Sequence, residues 1–292
     1  MIELEIIVGL AFCLMGLFLG SFSNVLVYRL SEHKSLFKPS RSFCPTCGNE
    51  IKWYDNIPIL SYIILRGKCR NCKEKISIRY PLIELAGLII GLSFFLLNYW
   101  HPNELDPLTN APYGFKFLFN WHTVIYFFMA IILMNISLID FKTQEIPFEL
   151  SVPFMLLCIG KFIGDTVISY TNELTTAAEA QNQLLVNILG FVCPAAFFGL
   201  IYLIPYLIKK IEVIGLGDVI LYSFIGLALG GWNIILVVLI STLICSVVEL
   251  IKIKVTGNKT TIAFGPYIAM ATLICMVFGD VIVNAYLSLI GL

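Results

Sequence analysis

Long apolar segments, each about the length needed to cross a lipid bilayer, constrain this chain more than any other feature. Of its 292 residues, 59% are hydrophobic and only 13% carry a charge. A water-soluble core of this size requires far less apolar material, and about 20 consecutive apolar residues are typical of a transmembrane helix. We therefore expect an all-α polytopic membrane protein with about eight transmembrane helices in a lipid bilayer.

The predicted spans follow one another along nearly the whole chain. They cover roughly residues 5–28, 81–99, 117–139, 147–170 and 184–207, with a sixth from 215, a seventh ending near 251 and an eighth beginning near 261. The first span lacks the basic residues of a secretory signal and is longer than a signal's apolar region, so we expect it to be retained. This predicts a first helix in residues 1–28, a polar domain in 29–81 and a seven-helix membrane domain in 82–292.

Positive charge is concentrated on one side of the predicted topology. Eleven of the 19 Lys and Arg residues lie between Arg29 and Arg79, and eight spans place 17 of the 19 on the same side of the membrane. The positive-inside rule makes that side the cytoplasm and both termini extracytoplasmic. Because a basic loop beside a membrane span is more simply a topology signal, we expect no nucleic-acid partner.

Two CxxC pairs in the polar segment predict a metal site. Cys44 and Cys47 form the first pair and Cys69 and Cys72 the second, with 21 residues between the pairs. Together they can present four thiolates to one tetrahedral zinc ion. Two disulfides are the alternative, but a cytoplasmic loop lies in a reducing compartment. Since four cysteines leave no open coordination position, we expect the zinc to be structural.

Two aspartates at predicted helix ends are candidates for catalysis. Asp218 closes the Gly215-Leu216-Gly217-Asp218 turn that opens the sixth span, and Asp140 ends the third. The predicted topology puts both at the cytoplasmic boundary. Two carboxylates that share a proton can activate water and protonate a leaving group, and they should titrate in two coupled steps. Either acid alone is more simply an interfacial residue, but Gly215 and Gly217 would allow close approach of an extended substrate chain.

Motifs of other hydrolase classes do not occur in this sequence. The sequence contains neither an HExxH nor a GxSxG motif, which leaves no zinc-hydrolase or serine-hydrolase arrangement. The alternative is a membrane transporter or scaffold with a zinc-binding loop. In such a protein Asp140 and Asp218, at the membrane boundary, would bind a transported cation. Glu84, in the first turn of the second span, can interact with the helix dipole or bind a cationic ligand group, and the sequence leaves both open.

Several motifs together resemble those of the type IV prepilin peptidases, which are membrane aspartic proteases and N-methyltransferases. The motifs occur in that family's order over almost the whole chain. Besides the two cysteine pairs, they are Gly20–Leu30, Asn56–Cys72, Tyr80–Leu85, Ile139–Pro147, Gly215–Asp218 and Phe264–Tyr267.

The resemblance implies that Asp140 and Asp218 are the catalytic pair. They would remove the basic leader from prepilins of type IV pili or pseudopilins of type II secretion, at the cytoplasmic face of the bacterial inner membrane. It also implies methylation of the new amino terminus with S-adenosylmethionine, although no glycine-rich nucleotide motif locates that cofactor. Residues expected to support the site or the approach of substrate are Gly215, Gly217, Pro147, Gly265 and Pro266.

The chain departs from the family pattern at two positions near the acids. The family usually has an acid directly after the proline, where Phe148 stands, and a basic residue two positions after the GxGD acid, where Ile220 stands. Neither departure removes the acid pair, but both bear on how the leader is recognised.

Overall fold

The structure is almost entirely helical, as predicted. The computed structural model describes residues 2–36, 41–105, 112–115, 121–171, 176–257 and 262–289. Its helices are α1 (Ile2–Ser31), α2 (Leu60–Ile64), α3 (Arg79–Tyr99), α4 (Trp121–Thr143), α5 (Phe148–Thr171), α6 (Ala177–Lys209), α7 (Leu216–Leu229), α8 (Gly231–Thr256) and α9 (Gly265–Leu289). All but α2 correspond to predicted spans. Lys38, Lys116 and Lys259, which are among the 19 basic residues counted, lie outside the described residues.

Seven helices of the described chain are long and apolar enough to cross a membrane, which confirms a multi-pass membrane protein. They are α1, α3, α4, α5, α6, α8 and α9. The remaining predicted span, α7, has 14 residues. At ~1.5 Å per residue it extends about 21 Å, less than the roughly 30 Å hydrocarbon core of a bilayer. The segment that carries Asp218 is therefore a short helix rather than a full-length span.

An antiparallel strand pair lies where the sequence predicts a loop between the second and third spans. Strand β1 (Trp100–Leu105) pairs with β2 (Pro112–Phe115), and the register shifts between His101 and Leu105. Pro112 occupies the first position of its strand, where the missing N–H group is tolerated best. Pro112 is thus compatible with a short pair of strands.

Particular backbone conformations terminate α4 and start α7, the helices that carry Asp140 and Asp218. After α4, Gln144 adopts a left-handed conformation with φ of 58° and donates its N–H to the Asp140 carbonyl at 2.8 Å. This is a common way to terminate a helix. Pro147 then precedes α5, and Gly215 is the N-cap of α7. Gly230, with φ of 87°, separates α7 from α8.

The chain divides into two compact units, Met1–Ile131 and Ile132–Leu292. In the first unit α1 packs against α3 with the backbones in close contact at Gly16 and Gly87, where a Cβ atom on either would overlap the carbonyl oxygen of the other. Small residues allow this approach between membrane helices. The Phe12 and Phe127 rings complete the core in an edge-to-face contact at 5.6 Å.

In the second unit α6 packs against α7 through a similar glycine pair, Gly190 and Gly226. Tyr222 is fully buried on α7, and its hydroxyl group is 2.7 Å from that of Ser241. Lys161 and Asp165, four residues apart on α5, form a salt bridge of 2.6 Å with both side chains buried. Glu249 and Lys252 of α8 also form a pair, at 3.5 Å.

Candidate active site and metal site

Asp140 lies in the last turn of α4 and is buried, with 4% of its surface exposed. Its Oδ2 atom accepts a hydrogen bond of 2.8 Å from the backbone N–H of Gly265, the first residue of α9. A helix amino terminus carries partial positive charge and stabilises a carboxylate. The start of α9 therefore positions one of the two predicted acids.

Asp218 lies in the first turn of α7, where it is also buried. Its backbone N–H donates to the Gly215 carbonyl at 3.1 Å. A Cβ atom added to Gly215 would lie 3.3 Å from Asp218 Oδ2, so the glycine leaves space beside the carboxylate. The GxGD turn thus places the acid at the amino terminus of a helix, with a small residue next to it.

The two acids, predicted to form one site, lie close enough for direct electrostatic interaction. Two further contacts join the segments that carry them. Gly217 of α7 contacts Ile146 in the turn after α4, and the Tyr222 ring of α7 lies 6.2 Å from that of Phe264, just before α9. Three chain segments that are distant in sequence therefore converge around the pair of carboxylates.

The residues predicted to support the site act in the packing of these segments. A Cβ atom on Gly217 would lie 2.8 Å from Ile146 Cβ, and one on Gly265 would lie 2.8 Å from Asp140 Oδ2. Pro266 occupies the first turn of α9, where proline is tolerated. A role for these residues and for Pro147 in the approach of substrate stays a prediction. Where the chain departs from the family pattern, Phe148 is exposed and Ile220 is half-buried.

Sequence reasoning missed three residues around this site. Gln144 ends α4 immediately after the acid, and Ile146 fills the contact with Gly217. Tyr267 donates its hydroxyl to Glu249 at 3.1 Å, which ties α9 to α8. In the sequence, only the presence of Tyr267 in the Phe264–Tyr267 motif pointed to its contact with Glu249.

The four cysteines form a single cluster, as predicted. The Sγ atoms of Cys44, Cys47, Cys69 and Cys72 all lie within 4.8 Å of one another, and those of Cys44 and Cys72 are 3.9 Å apart. Zn–S bonds of about 2.3 Å in a tetrahedron give sulfur–sulfur separations of roughly 3.8 Å. The donor set and its spacing therefore fit one tetrahedral metal ion.

The two cysteine pairs have the same backbone structure, repeated along the chain. In each pair, the N–H group of the first cysteine donates to the carbonyl five residues later. The carbonyl of the same cysteine accepts from the N–H group four residues later. The bonds are Cys44 N–Asn49 O at 2.9 Å, Gly48 N–Cys44 O at 2.8 Å, Cys69 N–Glu74 O at 2.8 Å and Lys73 N–Cys69 O at 3.0 Å. Gly48 and Lys73 both have positive φ, 71° and 61°. Each pair is thus a tight turn that presents two thiols to one point.

Backbone N–H groups in the turn of Cys44 and Cys47 stabilise the thiolate form of Cys44. A hydrogen bond from the Cys47 N–H, with a smaller one from Thr46, lowers the pKa of the Cys44 thiol to about 7. Since the thiolate is the form that binds a metal, this turn is prepared for coordination.

An ion pair connects the segment between the cysteine pairs to the second turn. Arg70 donates from Nε and Nη2 to the two carboxylate oxygens of Asp55 at 2.7 and 2.6 Å. The Arg70 guanidinium, through these hydrogen bonds, lowers the pKa of Asp55. Arg70, next to the metal-ligand candidate Cys69, is therefore engaged with a carboxylate.

Comparison with known proteins agrees with this geometry. The Bacterial Peptidase A24 N-terminal domain model matches residues 14–100, and the Type IV leader peptidase family model matches residues 127–250. A prepilin leader peptidase/N-methyltransferase of Vibrio cholerae is 35% identical over 235 residues, which cover 78% of this chain and 79% of the relative. The chain belongs to the type IV leader peptidase family.

Other members of the type IV leader peptidase family match over nearly the full length. The prepilin leader peptidase/N-methyltransferase of Pseudomonas aeruginosa is 32% identical, covering 95% of this chain and 93% of the relative. That of Legionella pneumophila is 30% identical, covering 94% and 93%. No solved structure matches the chain. The protein is thus a multi-pass membrane enzyme of this family.

Proposed function

We propose that this protein removes the leader peptide from prepilins or pseudopilins with Asp140 and Asp218 as the catalytic pair. The observation that carries the proposal is the convergence of two buried carboxylates from the ends of two separate helices. Two adjacent carboxylates cannot both ionise cheaply, so such a pair shares one proton. The ionised member takes a proton from the attacking water while the protonated one donates to the peptide carbonyl and later to the leaving amine.

The Gly265 N–H supports one protonation state of this pair. It donates to Oδ2 of Asp140, while Asp140 Oδ1 accepts no hydrogen bond from the described residues. The bond favours the ionised form of Asp140 and leaves Oδ1 available to bind water. Asp140 is therefore assigned as the base and Asp218 as the proton donor in the first step.

The relatives' names support a second activity, methylation of the new amino terminus with S-adenosylmethionine. In that reaction the amine lone pair forms a bond to the methyl carbon. The carbon–sulfur bond breaks with its electrons going to sulfur, and the amine gives up one proton to water. Both activities are proposed for the cytoplasmic face of the inner membrane, as the distribution of Lys and Arg supports.

Replacing either acid tests the proposed cleavage. Asp140→Asn and Asp218→Asn preserve shape and remove the shared proton, so each should abolish leader loss when purified enzyme and a prepilin are followed by mass spectrometry. Asp280→Asn is the matched control, because Asp280 is an exposed acid of the same unit whose described partner is Asn233. If either candidate variant cleaved at the control's rate, the paired-carboxylate mechanism would be wrong.

We propose further that the metal bound by the four cysteines is zinc. Metal analysis of the purified protein should find about one zinc per chain and little after Cys69→Ser, because three thiolates bind zinc less tightly than four. Cys193→Ser, at an exposed cysteine outside the cluster, is the control and should leave the content unchanged. A wild-type protein purified without chelators and free of zinc would refute the assignment.

A further inference from the structure

The segment between the two cysteine pairs carries large apolar side chains on the outside of the first unit. Trp53 is 80% exposed, Ile63 65% and Ile64 63%, and Leu60 is exposed as well. These four residues form the apolar face of the segment. Large exposed apolar patches are rare on soluble proteins and mark contacts with membranes or with other proteins. The apolar face therefore needs a partner that is itself apolar.

Helical spacing places three of these side chains together. Helix α2 presents Leu60, Ile63 and Ile64 at positions i, i+3 and i+4, which lie on one side of a helix. Ser61, in contrast, is buried, and its hydroxyl donates to the Tyr54 carbonyl at 3.2 Å. The polar side chain thus points inward and the apolar ones outward, the reverse of a helix on the surface of a soluble protein.

The inner side of α2 contacts the rest of the first unit. Tyr62 donates its hydroxyl to the Ile76 carbonyl at 3.4 Å. Ser61 and Tyr62 also line a cavity of about 460 Å³ beside Glu84, between α1, α3 and the metal-binding loop, residues 41–78. The segment cannot turn its apolar face inward without losing these contacts, so the partner must come from outside the unit.

Two hydrogen bonds hold the start of α2 beside membrane-spanning helices. Glu84 of α3 accepts from the Ile59 N–H at 2.7 Å and from the Ser21 hydroxyl of α1 at 2.8 Å. Glu84 lies five residues after the start of α3, and Ser21 lies ten residues before the end of α1. At ~1.5 Å per residue these separations are about 8 Å and about 15 Å. Ile59 therefore lies at the depth of the spanning helices rather than beyond their ends.

Basic residues flank the apolar face on both sides. Lys52 directly precedes Trp53, Arg66 and Lys68 follow Ile64, and all three basic residues are exposed. Interfacial segments typically bury apolar side chains roughly 5–10 Å into the boundary between headgroups and acyl chains, with Lys and Arg on the polar side. Because lipid phosphates are negatively charged, this charge pattern favours a lipid surface over an apolar protein partner.

We infer that the apolar face inserts into the phospholipid bilayer, with Lys52 and Arg66 at the lipid phosphates. Segment 53–64 is then an interfacial anchor that holds the metal-binding loop against the membrane. The loop is joined to α1 and α3 at its two ends, and this third attachment limits its rotation about them. The inference depends on neither the proposed cleavage nor the proposed methylation.

Photo-cross-linking to lipid tests the inference. Full-length protein is incorporated into nanodiscs of phosphatidylcholine and phosphatidylglycerol that contain a phospholipid with a photoreactive diazirine on one acyl chain. After irradiation, the metal is removed, the protein is digested with trypsin, and labelled peptides are identified by mass spectrometry. Cleavage after Lys52 and Arg66 releases the apolar face as peptide 53–66, and cleavage after Arg41 releases peptide 42–52 from the same loop.

Label should appear on peptide 53–66 at Leu60, Ile63 or Ile64, and on peptides from α3, but not on peptide 42–52. An unlabelled peptide 53–66 beside labelled α3 would show that water or protein covers the apolar face, and would overturn the inference. Equal label on both loop peptides would also overturn it, since lipid would then contact the loop without selecting this face.

Two double variants then test whether the apolar character of α2 is responsible. Ile63→Asn with Ile64→Asn should lower the label on peptide 53–66 roughly tenfold, because amide side chains are costly to bury in hydrocarbon. Ile63→Leu with Ile64→Leu, which has side chains of nearly the same shape as asparagine, is the matched control and should be labelled as wild type is. Metal content shows whether the loop of each variant is folded. Wild-type labelling of the asparagine variant would refute insertion.

Fluorescence quenching of Trp53 provides a measurement that leaves α2 unchanged. The contribution of Trp53 is the difference between wild type and Trp53→Phe, since the chain has three other tryptophans. Lipids brominated on an acyl chain should quench this contribution strongly, and iodide in the aqueous phase should quench it weakly. The reverse pattern would place Trp53 in water and contradict insertion of the apolar face.

Discussion

Gly265 is the single residue on which the geometry of the candidate active site depends most directly. Its N–H bonds to Asp140, and its missing side chain leaves space for that carboxylate. In Gly265→Ala the new Cβ atom would lie 2.8 Å from Oδ2 and 3.2 Å from Cγ, so Asp140 or α9 must move. Because a displacement near 1 Å costs about 10²-fold in rate, we expect kcat for leader cleavage to fall roughly 10- to 100-fold.

Gly160→Ala provides the control for this variant. Gly160 lies on α5 with no atom near the position of a new Cβ, so the same substitution should leave cleavage unchanged. Steady-state kinetics with a leader peptide, alongside thermal unfolding of both variants, distinguishes a displaced acid from a destabilised fold. Wild-type kcat in Gly265→Ala would show that the contact with Asp140 does not position it for catalysis.

At the level of elements, the contact between α6 and α7 determines where Asp218 lies. A Cβ atom on Gly226 would overlap the Gly190 carbonyl of α6, so the helices can approach only because both residues are glycine. Gly226→Ala should force the helices apart and cost about 1–3 kcal/mol in the free energy of unfolding. We expect a lower Tm in detergent, together with reduced cleavage.

A glycine on the neighbouring helix α6 serves as the comparison for Gly226→Ala. Gly199 of α6 has open space around it, and alanine has the higher helix propensity, so Gly199→Ala should leave the Tm unchanged or raise it. Comparing the Tm of the two variants under identical conditions isolates the effect of helix packing on stability. Equal Tm values would contradict the close contact between α6 and α7.

For the whole molecule, the orientation in the membrane follows from the charge distribution. A cysteine introduced at Lys52 should be protected from a membrane-impermeant thiol reagent applied to intact spheroplasts, whereas one at Ala178 should react. Ala178 is exposed, and a cysteine there leaves intact the cap of α6, in which the Thr176 hydroxyl accepts from the Glu179 N–H at 3.3 Å. The parent protein with its native cysteines supplies the background labelling. Reaction at Lys52 but not at Ala178 would reverse the topology and the side on which cleavage is proposed.

The features that the sequence determined by itself are those encoded in short segments. Runs of apolar residues predicted the seven helices of membrane-spanning length and the shorter α7, because a lipid environment favours apolar helices. The CxxC spacing predicted the cluster of four thiols, since each pair is a local turn and only one loop needs to close. Asp140 and Asp218 could be predicted to form a pair because one ends and the other begins a predicted span on the same side of the membrane.

The features that only the tertiary structure decided involve residues far apart in the chain. Nothing near Asp140 indicates that Gly265 donates to it, and nothing near Glu84 indicates that the Ile59 N–H does. Which helix faces meet depends on close packing of the whole unit, and hydropathy in a membrane protein does not identify those faces because lipid-facing and buried residues are equally apolar. The cavity beside Glu84 exists only because α1, α3 and the metal-binding loop pack together, so no local pattern could have revealed it.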